Sequence, residues 1–241
     1  MEEIKGHIVA LGGGGFSMES DNTLLDDFIL SLVPKTLPRV CFVPTASADS
    51  VQYLVKFYRA FSGRAIATDL TIFDPPAVPR RPARTADIAD YVAQQDIIYV
   101  GGGSTANLLA IWRAHGLDKI LYEAWCQGAV LCGVSAGMLC WFQDGLTDSF
   151  GGFAPLEGGL GYIGASACPH YDGEGERQAL YRQAVEAGMP DGYAADDYVG
   201  LHFQGEALVE AISSRPEAAA YRVERVAGQV QQTRLPTRYL G

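Results

Sequence analysis

The chain has 241 residues, of which 48% are apolar and 19% are charged, a composition typical of a globular domain with a well-buried core. Its formal net charge of −10 argues against nucleic acid as a partner, because such binding relies on Lys and Arg to neutralise phosphates. The apolar runs all fall short of the roughly 20 residues that span a bilayer, so we expect no membrane association.

Five cysteines are present, an odd number, and most of them lie within apolar runs: Cys41, Cys126, Cys132, Cys140 and Cys168. We interpret them as reduced core residues and predict neither a disulfide framework nor a metal site. The first seven residues contain no apolar segment of the kind that directs secretion. Together these observations predict a cytoplasmic protein that needs no cofactor.

Apolar segments of strand length alternate with segments of helical periodicity from residue 8 to residue 132. This alternation is typical of βαβ units, in which helices cover both faces of a parallel sheet. The predicted class is therefore α/β, in a single domain over residues 1–241. We predict strands at 8–11, 39–43, 65–73, 96–100 and 129–132, helices near 24–32, 51–61, 86–95, 106–114 and 117–127, and a Pro- and Arg-rich loop over 75–84.

Three of these strands end in glycine, at Gly12–Gly15, Gly101–Gly103 and Gly133. In open parallel sheets ligands bind beyond the carboxyl ends of the strands, so we expect the three loops to share one rim. A nucleotide site is a competing explanation for such loops. It is disfavoured, because Gly12–Gly15 does not fit a dinucleotide fingerprint and the chain has no phosphate-binding loop motif.

The third of these loops has the pattern Gly-x-Ser-x-Gly, centred on Ser135, between an apolar strand and a helix-compatible segment. In this context the turn is so sharp that the serine side chain is exposed, as in a nucleophile elbow. Backbone N–H groups that open the following helix would favour an oxyanion at the same place. An ordinary turn between a strand and a helix can contain the same five residues, so the pentapeptide alone does not distinguish a nucleophile elbow from such a turn.

Beyond residue 140 the pattern changes. Residues 147–165 are rich in glycine and predict loop with short strands, and residues 176–187 predict a helix. Residues 193–203 predict one strand interrupted by an acidic pair. Apolar positions in 208–212 and 220–226 predict antiparallel strands at the C-terminal end of the fold.

A nucleophilic serine needs a base, for which histidine is the usual residue. His170 is the first candidate, because it follows Cys-Pro in a loop after an apolar stretch, and His202, within the late strand, is the second. The base in turn needs a carboxylate that fixes its orientation. Asp196 and Asp197 are adjacent, so one of them is expected to face the site. The competing acids are Asp144, Asp148 and Asp172.

Four segments in this order resemble peptidase family S51, which contains the aspartyl dipeptidases (peptidase E), with cyanophycinases as more distant relatives. They are Val100-Gly-Gly-Gly-Ser-Thr, Gly-Val-Ser-Ala-Gly around Ser135, Cys-Pro-His-Tyr-Asp around His170, and Ala-Asp-Asp-Tyr at 195–198. The resemblance implies a mostly parallel sheet flanked by helices, flavodoxin-like and related to class I glutamine amidotransferases. It also implies a serine in place of the nucleophilic cysteine of those enzymes.

The resemblance implies the catalytic order Ser135, His170, Asp197, with Asp148 as the alternative acid. An α/β-hydrolase would instead run serine, acid, histidine, and would demand His202. The family's oxyanion hole falls on the backbone N–H groups of Gly103 and Ala136.

Two further positions bear on substrate choice. Ser104 stands where relatives often have Asn, and its shorter side chain puts a strict Asp preference in question. Arg177 matches the family's substrate-reading arginine, which would pair with an acidic side chain. Equally, Arg177 could be a solvated helix charge beside Glu174 or Glu176.

The predicted function is a serine peptidase that acts on short peptides, as an Asp-X dipeptidase or a relative of broader specificity. One alternative is a cyanophycinase-like or other amide or ester hydrolase, and another is a catalytically silent binding module. The expected partner is a small peptide substrate, and a homodimer is possible.

Overall fold

The computed structural model describes residues 6–73, 85–173 and 175–241, apart from the side chains of residues 85 and 86. The loop predicted over 75–84 lies outside these residues. The helices are α1 Leu24–Ser31, α2 Val51–Phe61, α3 Thr85–Val92, α4 Thr105–His115, α5 Leu117–Cys126, α6 Ala136–Leu139 and α7 Glu176–Glu186. The strands are β1 His7–Leu11, β2 Arg39–Val43, β3 Ile66–Asp69, β4 Ile97–Val100, β5 Val130–Val134, β6 Phe142–Thr147, β7 Ala154–Leu156, β8 Ile163–Cys168, β9 Gly192–Ala195, β10 Val199–Gln204, β11 Ala207–Ser213, β12 Ala220–Val226, β13 Gln229–Leu235 and β14 Thr237–Tyr239.

The larger sheet has eight strands in the order β14-β11-β10-β1-β5-β4-β2-β3. The five strands from β1 to β3 are mutually parallel, whereas β10 and β11 join antiparallel at the free side of β1. The predicted α/β class and the antiparallel C-terminal strands are confirmed. Because β1, β5 and β4 are parallel neighbours, their three glycine-rich ends meet at one rim, as the sequence predicted.

Helices cover both faces of the parallel strands. Alternate strand residues such as Val9, Phe42 and Tyr99 pack against α1 and α2. The residues between them, such as Ile8 and Val100, pack against α3, α4 and α5. Strands buried on both faces carry apolar residues throughout, which is why they were readable as continuous apolar runs.

A second sheet was not predicted. It has six strands in the order β13-β12-β9-β8-β6-β7. β7 and the first part of β8 come from the glycine-rich segment over 147–165, for which loop with short strands was predicted, whereas most of β6 precedes it. The sheet itself was not predicted, because β8 pairs with β6 and β9, which are separated from it in sequence. Long-range pairing of this kind leaves no local periodic signal.

The predicted strand over 193–203 is wrong as one element. It is two strands, β9 in the smaller sheet and β10 in the larger one. Tyr198, just before β10, has a left-handed backbone with φ 69°, and this residue redirects the chain between the two sheets.

Two other boundaries also differ from prediction. The third strand covers only Ile66–Asp69 of the predicted 65–73. The helix after Ser135 has only four residues, all of them buried, before the chain enters β6.

The cysteines are free thiols, and all but the partly buried Cys126 are buried, as predicted. Among the described residues, no helix is both long and apolar enough to cross a membrane.

Asp26 of α1 is 1% exposed, and its burial raises the carboxyl pKa from 3.8 to about 7, although nearby Arg64 opposes the shift. Because the folded-state pKa lies above the unfolded-state value, the ionised carboxylate lowers stability increasingly as pH rises from about 4 to 7. We therefore expect Asp26→Asn to raise the free energy of unfolding relative to wild type, and to raise it more at pH 8 than at pH 4. Denaturant unfolding at both pH values measures the difference. Asp27→Asn, which removes an exposed carboxylate, is the control and should show no such gain. An equal Asp26→Asn effect at both pH values would contradict the prediction.

Candidate active site

Ser135 lies between β5 and α6 with φ 58° and ψ −109°, the strained conformation expected of a nucleophile elbow. The two flanking glycines are needed because neither position has room for a side chain. A Cβ at Gly133 would lie 2.4 Å from the Gly137 carbonyl oxygen, and one at Gly137 would lie 2.3 Å from the Val100 carbonyl oxygen. Close approach of two strand ends therefore explains the Gly-x-Ser-x-Gly pattern.

His170 and Asp197 are brought together by the smaller sheet, since they follow the parallel neighbours β8 and β9. His170 Nδ1 is 2.5 Å from Asp197 Oδ1, and each side chain is about one quarter exposed (27% and 24%). Asp172 supports the acid, because its Oδ1 accepts a hydrogen bond from the Asp197 N–H at 2.7 Å. A carboxylate on Nδ1 holds the proton there and leaves Nε2 to accept another.

The glycine-rich loop after β1 anchors the chain segments that carry these side chains. The Ser135 N–H donates to the Leu11 carbonyl oxygen at 3.0 Å, and the His170 N–H donates to the Gly12 carbonyl oxygen at 3.3 Å. The loop also touches the acid, since a Cβ at Gly13 would lie 1.9 Å from Asp197 Oδ1. The glycines that raised a nucleotide-binding alternative thus serve close packing at the candidate site.

The other candidate acids lie elsewhere. Asp196 points away from His170, and its Oδ2 accepts a hydrogen bond from the Ala219 N–H at 2.9 Å. Burial raises the Asp196 pKa to about 6. Asp144 accepts a hydrogen bond from the Gly158 N–H, and Asp148 lies 3.8 Å from Arg177.

His202, the second candidate base, is 5% exposed within β10. Its Nε2 is 2.9 Å from His7 Nδ1, and its Nδ1 is 3.8 Å from Glu210. Burial lowers the His202 pKa. His202 pairs across the sheet with Val9, near the middle of β1 and away from the glycine-rich rim.

The two backbone positions predicted for the oxyanion hole follow the ends of β5 and β4. Ala136 is the first residue of α6, so its N–H has no intrahelical partner. Gly103 has φ 139°, and a Cβ there would lie 2.2 Å from the Ala46 carbonyl oxygen. The neighbouring Gly102 faces the serine, since its Cβ position lies 3.4 Å from Ser135 Cβ.

Ser104 is the N-cap of α4, and its Oγ accepts a hydrogen bond from the Asn107 N–H at 3.3 Å. This capping contact keeps the hydroxyl at the helix end. The α4 N-terminus also contacts the segment after β6, because the Ala106 N–H donates to Ser149 Oγ at 3.3 Å.

Arg177 is buried, 7% exposed, rather than solvated as the alternative interpretation held. Its Nη1 donates to the Pro169 carbonyl oxygen at 3.3 Å, next to His170 in sequence. Its Cζ lies 4.4 Å from the Phe153 ring centroid, and its Nη2 is 3.8 Å from Asp148 Oδ2. Glu174 lies outside the described residues.

Sequence reasoning missed three participants: Phe153 beneath Arg177, Asp172 beside Asp197, and the left-handed Tyr198. Phe153 lay in the segment predicted as loop with short strands, and the turn at Tyr198 contains no glycine that would have marked it. Asp172 was among the candidate acids, but it was considered as the direct partner of the histidine, whereas the structure places it against the Asp197 N–H.

Gly13→Ala should damage the site while leaving the fold in place. The added Cβ would occupy the position of Asp197 Oδ1 and push the acid from His170. We expect the rate of Ser135 labelling by a fluorophosphonate to fall at least about tenfold, as for loss of base orientation. Gly164→Ala is the matched control, because a Cβ there has no described neighbour within 4 Å. Equal labelling rates for the two variants would contradict the prediction.

Comparison with known proteins shows the family to which the chain belongs. The family model for peptidase family S51 matches residues 8–211. The chain is 46% identical over 236 residues to the uncharacterized peptidase YgaJ of Bacillus subtilis (strain 168), covering 97% of this chain and 99% of that protein.

Two solved structures are similar in fold. A peptidase from an acI-B1 Actinobacterium superposes with a TM-score of 0.67 at 17% identity, over 96% of this chain and 95% of that one. A protein assigned as peptidase E from Listeria monocytogenes EGD-e gives a TM-score of 0.57 at 17% identity, over 96% and 100% of the two chains. At this identity they support the flavodoxin-like fold, whereas the family follows from the sequence matches. The chain belongs to peptidase family S51 and is a serine-type peptidase.

Proposed function

We propose that this protein hydrolyses short peptides through a Ser135–His170–Asp197 triad and an acyl-enzyme, with a preference for dipeptides that begin with Asp. The observation that carries the triad is the 2.5 Å contact between His170 and Asp197, and Ser135 stands in a strained elbow at the same rim of the fold. Ser135 and His170 donate backbone hydrogen bonds to consecutive residues, Leu11 and Gly12, which supports their close approach.

In the proposed reaction Ser135 Oγ attacks the peptide carbonyl carbon while His170 Nε2 takes the hydroxyl proton. The N–H groups of Ala136 and Gly103 stabilise the oxyanion. His170 then gives its proton to the leaving amine, the C–N bond breaks, and an ester to Ser135 remains. Water, deprotonated by the same imidazole, hydrolyses this ester.

Asp197 is the acid of this proposal, and Asp148 is not. Only Asp197 has a described contact with the imidazole, whereas Asp148 lies against Arg177. Asp196, adjacent in sequence, is engaged by the Ala219 N–H.

Arg177 supports the preference for an acidic first residue. Its side chain is 8% exposed, yet among the described residues its Nε has no hydrogen-bond partner and its carboxylate contact is long, 3.8 Å. A desolvated guanidinium with weak partners favours an incoming carboxylate, which can bind it bidentately. Asp148 is 65% exposed, so it can give way to the substrate.

The overall charge makes this local contact necessary. A net charge of −10 repels an acidic peptide at long range, so selection depends on a cation close to the bond that is cleaved. The Ser104 hydroxyl already accepts the N-cap hydrogen bond of α4, so we assign binding of the substrate carboxylate to Arg177.

Ser135→Ala should lower kcat by several orders of magnitude without unfolding the protein, because removal of one triad member disables the unit. His170→Ala should be comparably severe. His202→Ala is the control, and we expect it to affect stability more than turnover, since this ring contacts His7 rather than the rim. Dipeptide hydrolysis and circular dichroism measure the two effects. Near-normal turnover by Ser135→Ala would overturn the proposed triad, and failure of wild type to react with a fluorophosphonate would favour a silent binding module.

Arg177→Ala should lower kcat/KM for Asp-X dipeptides by about tens- to a hundredfold, roughly 2–3 kcal/mol, the scale of a lost charge-assisted hydrogen bond. Arg177→Lys should rescue only part of this loss, because a point charge lacks the planar fork. The measurement is the ratio of Asp-X to Ala-X hydrolysis, with Ala-X as the internal control for damage to the fold. An unchanged ratio, or a wild-type preference for Ala-X, would contradict the acidic specificity and favour a peptidase of broader specificity or another amide or ester hydrolase.

A further inference from the structure

Glu19 is a buried carboxylate that the proposed reaction does not use. Its side chain is 2% exposed, and three donors surround it: Ser214 Oγ at 2.6 Å, Asn22 Nδ2 at 3.1 Å and Arg215 Nη2 at 3.1 Å. Burial of a charge is unfavourable unless it is well partnered, and a fully partnered network is rigid. Glu19 therefore fixes the end of β11, where Ser214 and Arg215 lie.

These two residues contact Tyr198, the neighbour of Asp197. The Ser214 N–H donates to the Tyr198 carbonyl oxygen at 3.0 Å, and Arg215 Cζ lies 5.2 Å from the Tyr198 ring centroid. On its other side, the Tyr198 N–H donates to the Gly13 carbonyl oxygen at 3.2 Å. Tyr198 is thus held from both directions.

The conformation of Tyr198 makes this support necessary. A bulky residue with φ 69° is strained, and such strain persists only where the surroundings impose it. If the support is weakened, Tyr198 can relax toward negative φ. That change would turn the peptide unit that joins it to Asp197.

Glu19 also connects the two supports of Tyr198. Its own N–H donates to the Gly15 carbonyl oxygen at 2.8 Å, directly after the loop that contains Gly13. The packing here is close, because a Cβ at Gly14 would lie 3.1 Å from Tyr198 Cα and 3.3 Å from Glu19 Oε2. Glu19 therefore joins the glycine-rich loop, through its backbone and close packing, to the end of β11, through its carboxylate.

We propose that Glu19 is a positioning residue for the triad acid. Through Ser214 and Arg215 it holds Tyr198 in the left-handed conformation, and so keeps Asp197 in contact with His170. The inference rests on the proposed triad but is independent of substrate specificity.

The test is Glu19→Gln, which keeps the size of the side chain but removes the charge and places an amide NH₂ among three donors. The control is Asp96→Asn. Asp96 is also a largely buried carboxylate, 16% exposed, and it accepts hydrogen bonds from Lys35 Nζ at 2.6 Å and the Arg39 N–H at 2.9 Å. It precedes β4 and so lies at the end of the sheet opposite the catalytic rim.

We expect Glu19→Gln to lower kcat for dipeptide hydrolysis about tenfold or more with KM within about twofold, because base orientation is lost and substrate contacts are not. Asp96→Asn should lose stability with kcat unchanged. Both variants are assayed below the temperatures at which they begin to unfold.

A second measurement does not depend on turnover. The hydrogen-bonded Nδ1 proton of His170 should give a downfield resonance in the proton NMR spectrum, assigned by its absence in His170→Gln. This resonance should weaken or vanish in Glu19→Gln and persist in Asp96→Asn.

Wild-type kcat or a wild-type resonance in folded Glu19→Gln would overturn the inference, as would equal effects in Asp96→Asn. If Glu19→Gln does not fold, Ser214→Ala carries the same two measurements, with the same outcomes for and against. A wild-type protein that shows the resonance but hydrolyses no peptide would refute the proposed function and leave this inference standing.

Discussion

Close packing of the backbone at Leu11–Gly13 is the constraint on which the site depends. The segments that carry Ser135 and His170 hydrogen-bond to this loop, and so does Tyr198 beside Asp197. Any side chain at Gly13 would collide with the acid. Gly12 and Gly13 therefore carry no side chain, because a Cβ at either position would clash with the segment that contains Asp196 and Asp197.

Backbone strain recurs at the residues of the proposed triad. Ser135 and His170 have φ of 58° and 50°, and Tyr198, next to Asp197, has φ of 69°. Ser135 and His170 follow the ends of β5 and β8, and Tyr198 lies directly before β10, so each conformation turns the chain beside a strand terminus. Such conformations persist only where surrounding contacts hold them. Here those contacts come from the glycine-rich loop, the end of β11 and the buried carboxylate of Glu19.

In this strongly acidic chain, burial changes the properties of individual charged groups. Burial raises the pKa of Asp196 to about 6 and that of Asp26 to about 7. Arg177 stands out in this setting as a buried cation beside the His170 segment, held by a carbonyl oxygen, an aromatic ring and a distant carboxylate. This weak neutralisation is the basis of the proposal that Arg177 binds the carboxylate of an acidic substrate.

The sequence by itself determined the α/β class, the parallel strands and their glycine-rich ends, because strands buried on both faces are continuous apolar runs. It also marked Ser135, since a nucleophile elbow needs glycines at fixed positions, and ordered motifs identified the family. Only the tertiary structure decided that His170 meets Asp197 rather than Asp148 or Asp196, and that Arg177 is buried. Those choices follow from the pairing of β8 with β9 and from the left-handed turn at Tyr198. Both depend on contacts between residues far apart in the chain, which leave no periodic signal in the local sequence.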